Sequence, residues 1–361
     1  MARTRRPTMA DVAAHAGVSV STVSLVFSGA GSVTADTRAK VENAAAALDY
    51  AGPSPQARAL RSGRTGIVGV VVHERLARSL RDPLQLRILD AVVEELGERG
   101  LGVLLLPSPT PTGSERPLLE SAAMDAAVVL RVRDHDEPSL EILRRRGLPH
   151  VAMEAPPGSV ATRVSIDDTS ATEELIRRLL DLGHKRIATV TLPMTDRATT
   201  RFRTLDDLPD PMWTPARHRL EAFARAGVEP CAIVEAGASM VEPGIEAGRM
   251  LLAHNSAPTA VVCQSDLLAG GVIVAAREAG LDVPRDLSVT GFDGLDLPWL
   301  APLALTTQAQ DGESKGRAIA AAVKELLDGG TPGEIDIPLE LREGTTIAPP
   351  RPETLRPAHL R

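Results

Sequence analysis

The sequence predicts an α/β protein with three parts: an N-terminal three-helix head carrying a helix-turn-helix, a linker with a short hinge helix, and a two-lobed body on parallel sheets. Three observations carry this. Residues 8–28 read as two short helices folded about Gly17, and from Gly66 onward apolar runs of strand length alternate with helical segments. Charge is also divided: residues 1–66 hold eight Lys/Arg against four Asp/Glu, or +4, which leaves −11 for the remainder of a 361-residue chain of net charge −7. A basic head on an acidic body concentrates affinity for a polyanion in one place and repels it elsewhere.

In the head, Thr8 is placed to cap the first helix, Val12, Ala13 and Ala16 form its apolar stripe, and Gly17 supplies the positive φ that ends it. A second helix starts near Ser19. There Val18, Val23 and Val26 face inward, while Val20, Ser21, Ser24 and Leu25 face out, as in a helix that presents side chains to base edges. An ordinary αα-hairpin would share this pattern, but Arg3, Arg5, Arg6, Arg58, Arg61 and Arg64 flank the three helices and suit phosphates. A third helix from Ala35 to about Leu48, capped by Thr34, closes the head. The Pro- and Gly-containing stretch after Tyr50 is a linker that runs into Gln56–Ser62, enough for one or two helical turns.

The body alternates in βαβ rhythm. Strands are expected at Ile67–Val72, Leu101–Leu106, Ala126–Leu130, Pro149–Met153, Arg186–Thr191, Cys231–Val234, Ala260–Cys263 and Leu287–Phe292, with helices such as Leu84–Leu96, Thr172–Leu182 and Leu267–Ala279 between them. Continuous apolar strands imply parallel sheets covered on both faces, and about 290 residues suit two lobes with a cleft better than one sheet. The expected division is 1–52 for the head, 53–65 for linker and hinge, and 66–361 for the body, with lobes of about 66–168 plus 302–332 and 169–301 plus 333–350. Aromatic residues are 2% of the chain, so Ala, Val, Leu and Ile must build the cores. Cys231 and Cys263 read as reduced strand residues, and no apolar run has the length of a signal or a membrane span, so a soluble cytoplasmic protein is expected. No cofactor is expected. Enzyme chemistry lacks its motifs: there is no Gly-x-Ser-x-Gly elbow, phosphate-binding Gly-x4-Gly-Lys loop or His-Glu-x2-His, and Gly29-Ala-Gly31 follows a helix rather than a strand. The alternatives left are a solute-binding protein or an enzyme on a doubly wound α/β fold.

Several ordered motifs give the chain a resemblance, over nearly its whole length, to the lactose and galactose repressor family of bacterial transcription factors. They are Asp11-Val-Ala-x-x-Ala-Gly-Val-Ser-x-x-Thr-Val-Ser24, Ala57-Arg58-Ala59-Leu60, Leu182-Gly-His-Lys-Arg-Ile187, Pro258-Thr-Ala260 leading to Ser265-Asp266, Ser288-Val-Thr-Gly-Phe-Asp293, and Leu305-Thr-Thr307. The resemblance implies a hinge helix ordered on DNA, a body like a periplasmic sugar-binding protein with an effector in its cleft, and a homodimer as working unit, leaving tetramers open. The expected partners are therefore a double-stranded DNA operator and a small-molecule effector such as a carbohydrate.

By that resemblance Val20 and Ser21 match base-contacting positions, Ser19, Thr22, Ser24, Ser28, Thr34 and Tyr50 match positions that donate to phosphates, and Thr8 joins them as a DNA-binding candidate. Ala57 and Leu60 belong to the hinge, with Leu60 matching a leucine that wedges into the minor groove. Two departures alter the expected operator. Leu25 replaces a basic residue, so it can touch a thymine methyl but cannot donate to guanine, and the Tyr50-to-Leu60 spacing is one residue longer than in well-known members. In the body, Arg219 matches an arginine that holds ligand hydroxyls or a carboxylate, and Asp293 an acidic effector contact. Ser265 stands where relatives often carry asparagine, Gln310 matches a cleft-edge glutamine, and His73 and Asp167 complete the candidates. The segment from Pro193 to Pro215 is long for a βα connection, and its Trp213 reads as either a sugar-stacking ring or a core cap.

Overall fold

A computed structural model describes residues 7–28, 32–52, 59, 63–73, 80–108, 117–133, 137–195, 198–210, 212–255 and 258–352. It forms two compact units, residues 1–66 and 67–361. The first holds α1 (Met9–Ala16), α2 (Val20–Ser28) and α3 (Ala35–Ala47). Thr8 and Asp11 form a reciprocal capping box at the start of α1, and Gly17 ends it at φ 65°. Val12, Ala13, Val23, Val26, Val41, Ala44 and Ala45 make one small core, and α1 and α2 meet at 108°, within the range of helix-turn-helix pairs.

The second unit has two sheets. In chain order it contains β1 (Ile67–Val72), α4 (Pro83–Gly97), β2 (Gly102–Pro107), α5 (Leu118–Ser121), β3 (Ala126–Val129), α6 (Pro138–Arg145), β4 (His150–Met153), β5 (Arg163–Ser165) and α7 (Asp168–Asp181). There follow β6 (Ile187–Thr191), β7 (Arg201–Arg203), α8 (Thr214–Arg225), β8 (Ile233–Glu235), α9 (Val241–Leu252), β9 (Ala260–Cys263), α10 (Asp266–Glu278), β10 (Ser288–Asp293), β11 (Thr306–Gln310), α11 (Gly312–Leu327), β12 (Glu334–Asp336) and β13 (Leu339–Arg342). The first sheet runs β12-β5-β4-β3-β1-β2 and the second β13-β11-β10-β9-β6-β8-β7. All ladders are parallel except at the edges of the second sheet, where β7 and β13 run antiparallel. The apolar runs become buried strands, as in β1, whose Val68 and Val70–Val72 are all buried. Glycine sets the closest helix packing: a Cβ on Gly271 of α10 would lie 2.4 Å from Val241 O, and one on Gly244 of α9 2.6 Å from Leu268 O.

The chain passes between the sheets three times, at 166–167, at 311 and at 337–338. This corrects the expected crossings near 302 and 333, because β11 belongs to the second sheet and β12 to the first. The apolar pattern could not show it. β11 is Thr-Thr-Gln-Ala-Gln, wholly buried, its polar groups satisfied by Asp266, Glu174 and Asp293, and β12 is a short, largely exposed strand. The long segment before α8 supplies β7, whose Arg203 donates to the fully buried carboxylate of Glu235 at 2.8 Å. Cys231 and Cys263 are free thiols.

Candidate nucleic-acid interface and effector cleft

In the head, three of the hydroxyls expected at phosphates, those of Thr8, Ser19 and Thr34, sit at helix starts. Ser19 Oγ accepts from Thr22 N at 3.1 Å and Thr34 Oγ1 from Thr37 N at 3.3 Å, as Thr8 does for α1. Helix N-termini with hydroxyl caps direct backbone N–H groups outward and suit anions. Val20 and Leu25 are 46% and 41% exposed, Ser21 and Ser28 are exposed, and Thr22 and Ser24 are half-buried. Apolar side chains left out on an otherwise buried three-helix core are available to a partner surface. Tyr50 meets Phe27 edge-on, ring centroids 5.5 Å apart, which ties the end of the head to α2. Ala57 and Leu60, with Arg58 and Arg61, lie outside the described residues.

The body holds a cleft between its two sheets, lined by Asp82, Arg131, Glu154, Trp213, Arg219, Ser239, Asp293, Gln310 and Lys315 among apolar neighbours that include Leu84, Ile88, Leu130 and Met153. Asp293 and Glu154 end or follow β10 and β4, at the carboxyl ends of parallel strands where α/β proteins bind ligands. Arg219, on α8 and 3% exposed, donates from Nε to Asp168 Oδ1 at 2.6 Å and from Nη1 to Gln264 O. Its guanidinium lies 3.6 Å over the Phe292 ring. On the opposite wall Lys315, of α11, donates to both Glu154 and Gln310, and Gln310 Nε2 donates to Asp293 Oδ1 at 2.8 Å. Glu154, Lys315, Gln310 and Asp293 thus form one hydrogen-bonded chain from the first lobe to the second.

The charges in this cleft depend on one another. Burial pushes Asp293 well above the usual carboxylate range, Asp266 and Asp82 adding to the push while Arg219 and Gln310 oppose it. Burial also raises Asp266 to about 6, against hydrogen bonds from Thr307, Leu295 and Gly294, and raises Asp168 against Arg219. Glu154 goes the other way: burial alone would raise it, but the charges of Lys315, Arg219 and Arg131 hold it below its ordinary value. Burial alone would lower Arg219, which Asp168, Asp293 and Glu154 hold above it.

Of the six expected effector residues, the structure brings Arg219, Asp293 and Gln310 to the cleft and not the other three. Asp167 caps α7 through Ser170 N at 2.9 Å and lines a separate groove with His218 and Asp336; its neighbour Asp168 makes the contact with Arg219. Ser265 caps α10 and lies one hydrogen bond behind the cleft, accepting from Ser239 Oγ at 2.9 Å. His73 is held by Glu137 Oε1 at 3.2 Å and reaches the cleft only through Trp213, ring centroids 5.1 Å apart. Arg131 and Arg133 lie over the Trp213 ring at 5.4 and 5.5 Å, so the ring is packed rather than bare. Glu154, Asp168 and Lys315 escaped the sequence reading, since charged residues on a helix or after a strand look solvated. The position of Glu154 at a strand's carboxyl end was the available signal.

Residues 8–53 match the family described as bacterial regulatory proteins, lacI family, and residues 176–347 match the periplasmic binding protein-like domain. The chain is 33% identical to the HTH-type transcriptional regulator Rv3575c of Mycobacterium tuberculosis over 96% of its own length and 98% of that protein. It is 31% identical to the HTH-type transcriptional regulator CelR of Thermobifida fusca, over 94% and 97%. Among solved structures, the Lac repressor dimer bound to operator and an anti-inducer superposes with a TM-score of 0.75 at 24% identity, covering 95% of this chain and 100% of that one, a likeness of fold. A CelR–cellobiose complex superposes with a TM-score of 0.66 at 26% identity, covering 94% and 100%. These relatives are regulators rather than enzymes. A helix-turn-helix head joined to a two-lobed binding body, matched end to end by such relatives, places the chain in the LacI family of DNA-binding transcriptional regulators.

Proposed function

We propose that the protein is a cytoplasmic repressor that binds a palindromic operator as a homodimer. Its affinity for the operator changes when a small polyhydroxylated ligand, a sugar or related metabolite, occupies the cleft. The observation that carries this reading is the convergence of Arg219, Asp293 and Gln310 with Lys315 and Glu154 in one partly dry site, where charge-assisted hydrogen bonds to ligand hydroxyls are strong. CelR, a relative of similar length, has been solved with cellobiose, and CytR of Escherichia coli, 28% identical, is named a repressor. In this reading Val20, Ser21 and Leu25 meet bases, the helix-start hydroxyls of Thr8, Ser19 and Thr34 meet phosphates with Thr22, Ser24, Ser28 and Tyr50, and Ala57 and Leu60 act in the hinge. An apolar strip supports the dimer: Leu86 and Val93 of α4, Leu104 and Leu105 of the edge strand β2 and Leu118 of α5 are exposed on neighbouring elements, and an open edge strand with apolar side chains calls for a cover.

The test pairs two assays on the full-length protein. A thermal-shift panel of neutral mono- and disaccharides should contain a sugar that raises the melting temperature of the parent but not of Asp293→Asn. Selection from a random DNA pool should enrich a two-fold symmetric site whose retention changes with that sugar. Enrichment of a site lacking two-fold symmetry would reject the dimeric reading, and a panel without response in both proteins would reject the sugar.

A further inference from the structure

The start of α8 belongs to the second lobe, since Trp213 N donates to Met194 O at 3.0 Å, just after β6. It also grips the first lobe. Thr214 donates to Val132 O from its backbone N at 3.3 Å and from Oγ1 at 3.1 Å, and Trp213 forms an isolated antiparallel bridge with Arg133. The Trp213 ring packs in a cluster with Met194, Met212 and Leu220 of its own lobe and also meets first-lobe side chains: Arg131 and Arg133 over its face and His73 at its edge, with Glu137 behind His73. Arg133 Nε lies 3.6 Å from Glu137 Oε2.

Trp213 also lines the cleft, whose volume as closed is only about 70 Å³. Sites that take a metabolite run to roughly 300–1,000 Å³, so the lobes must part before one enters. The contact across this rim is incompletely satisfied. Trp213 Nε1, His73 Nδ1 and Arg133 Nε are buried without a hydrogen-bond partner, and each unmet donor or acceptor weakens the closed arrangement. Across the lobes Lys315 also donates to Gln310, and Met240 and Leu295 of the second lobe pack into the first lobe's apolar cluster, whereas Arg81 to Glu242 at 2.5 Å joins two side chains more than half exposed and holds little.

We infer that Trp213 and Thr214 are a latch between the lobes: they grip the Val132–Arg133 loop, close the cleft, and must release it for a ligand to enter. The inference rests on the cleft being the effector site and assigns the residues that gate it. A latch short of hydrogen bonds opens often, and a ligand oxygen that satisfies the indole N–H rewards reclosure. Ligand entry and lobe closure then read the same residue.

The molecule carries its own reporter. Thr214 is the first residue of α8, where an N–H has no acceptor within the helix, so protection of its amide from exchange reports the bond to Val132 O and the closed contact that buries the residue. Trp213 and Trp299 are the only tryptophans, so Trp299→Phe leaves Trp213 as the sole tryptophan in full-length protein, excited at wavelengths that Tyr50 does not absorb, and acrylamide serves as the probe of access. The parent should show a Thr214 amide exchanging at least roughly tenfold slower than an unprotected one, with a poorly quenched Trp213. Arg133→Ala should lower that protection and raise the quenching constant by roughly two- to tenfold each, with a cooperative melt retained. Exchange of the Thr214 amide at the unprotected rate in the parent itself would overturn the latch without any variant. An Arg133→Ala protein as protected and as unquenchable as its parent would do the same. Neither arm uses a sugar, so a failed latch leaves the sugar reading standing, and a failed sugar panel leaves the latch measured.

Discussion

Replacing Arg219 by alanine tests the electrostatics of the cleft most sharply. The guanidinium and its partner Asp168 are 3% and 2% exposed in side-chain terms, joined by a 2.6 Å hydrogen bond. Glu154 adds a further carboxylate close enough to raise Asp168. Removing the cation leaves Asp168 buried and uncompensated and strips Gln264 O of a donor. Breaking a buried pair from one side costs about 3–5 kcal/mol, a large part of the roughly 5–15 kcal/mol that stabilises a typical domain. Arg219→Ala should therefore lower the urea midpoint of the body's transition, followed by circular dichroism on the full-length protein, by an amount equivalent to that loss. Because most of the penalty is the stranded charge, adding Asp168→Asn should recover more than half of it. A single variant that loses under about 1 kcal/mol, or a double variant less stable than the single one, would refute the reasoning.

Three further outcomes follow from local geometry. Asp266 binds its proton more tightly folded than unfolded, since burial lifts it from 3.8 to about 6, so its contribution to stability is full below about pH 4 and is lost as pH rises through 6; the total is about 3 kcal/mol, of which about 2 falls between roughly pH 4.5 and 7.5. Asp266→Asn should flatten the stability profile by that amount in paired urea titrations, and parallel profiles would contradict it. Gly17→Ala meets no atom within 4 Å but must hold φ 65°, so it should cost the head about 1 kcal/mol or more in thermal melts, with Gly17→Asn milder. Gly271→Ala drives a methyl to 2.4 Å from Val241 O and should destabilise the body by roughly 1–3 kcal/mol, whereas a neutral result would mean that α9 and α10 can separate freely.

What could be read from the sequence was what has a local signature. Thr8 and Gly17 bound α1 because a cap and a left-handed residue are chemical choices visible in the chain, and the strands showed themselves where parallel pairing makes both faces apolar. The polar strand β11 was misassigned because its burial is satisfied by Asp266, Glu174 and Asp293, which are distant in sequence. The cleft divided along the same line. Arg219 and Asp293 lie in motifs, whereas Lys315 joins Glu154 across 161 positions, a pairing that no window along the chain contains. Ser265 and Asp167 were plausible by position, but both are spent as helix caps.

The three crossings give the body the mechanics of a leaf spring. Two of them end in helix-capping aspartates, Asp167 on α7 and Asp311 on α11, and at the third Ile337 N donates to Ser165 O at 2.8 Å, lashing that leaf to the first. Three chain crossings between two packed lobes are the arrangement in which a hinge is built from a few residues at the ends of elements. The chain leaves residue 66 directly into β1 of the first lobe, while Arg219, Asp293 and Gln310 ride on the second. In the proposed reading, what the cleft holds acts on the N-terminal side through the angle at which the two lobes are folded together.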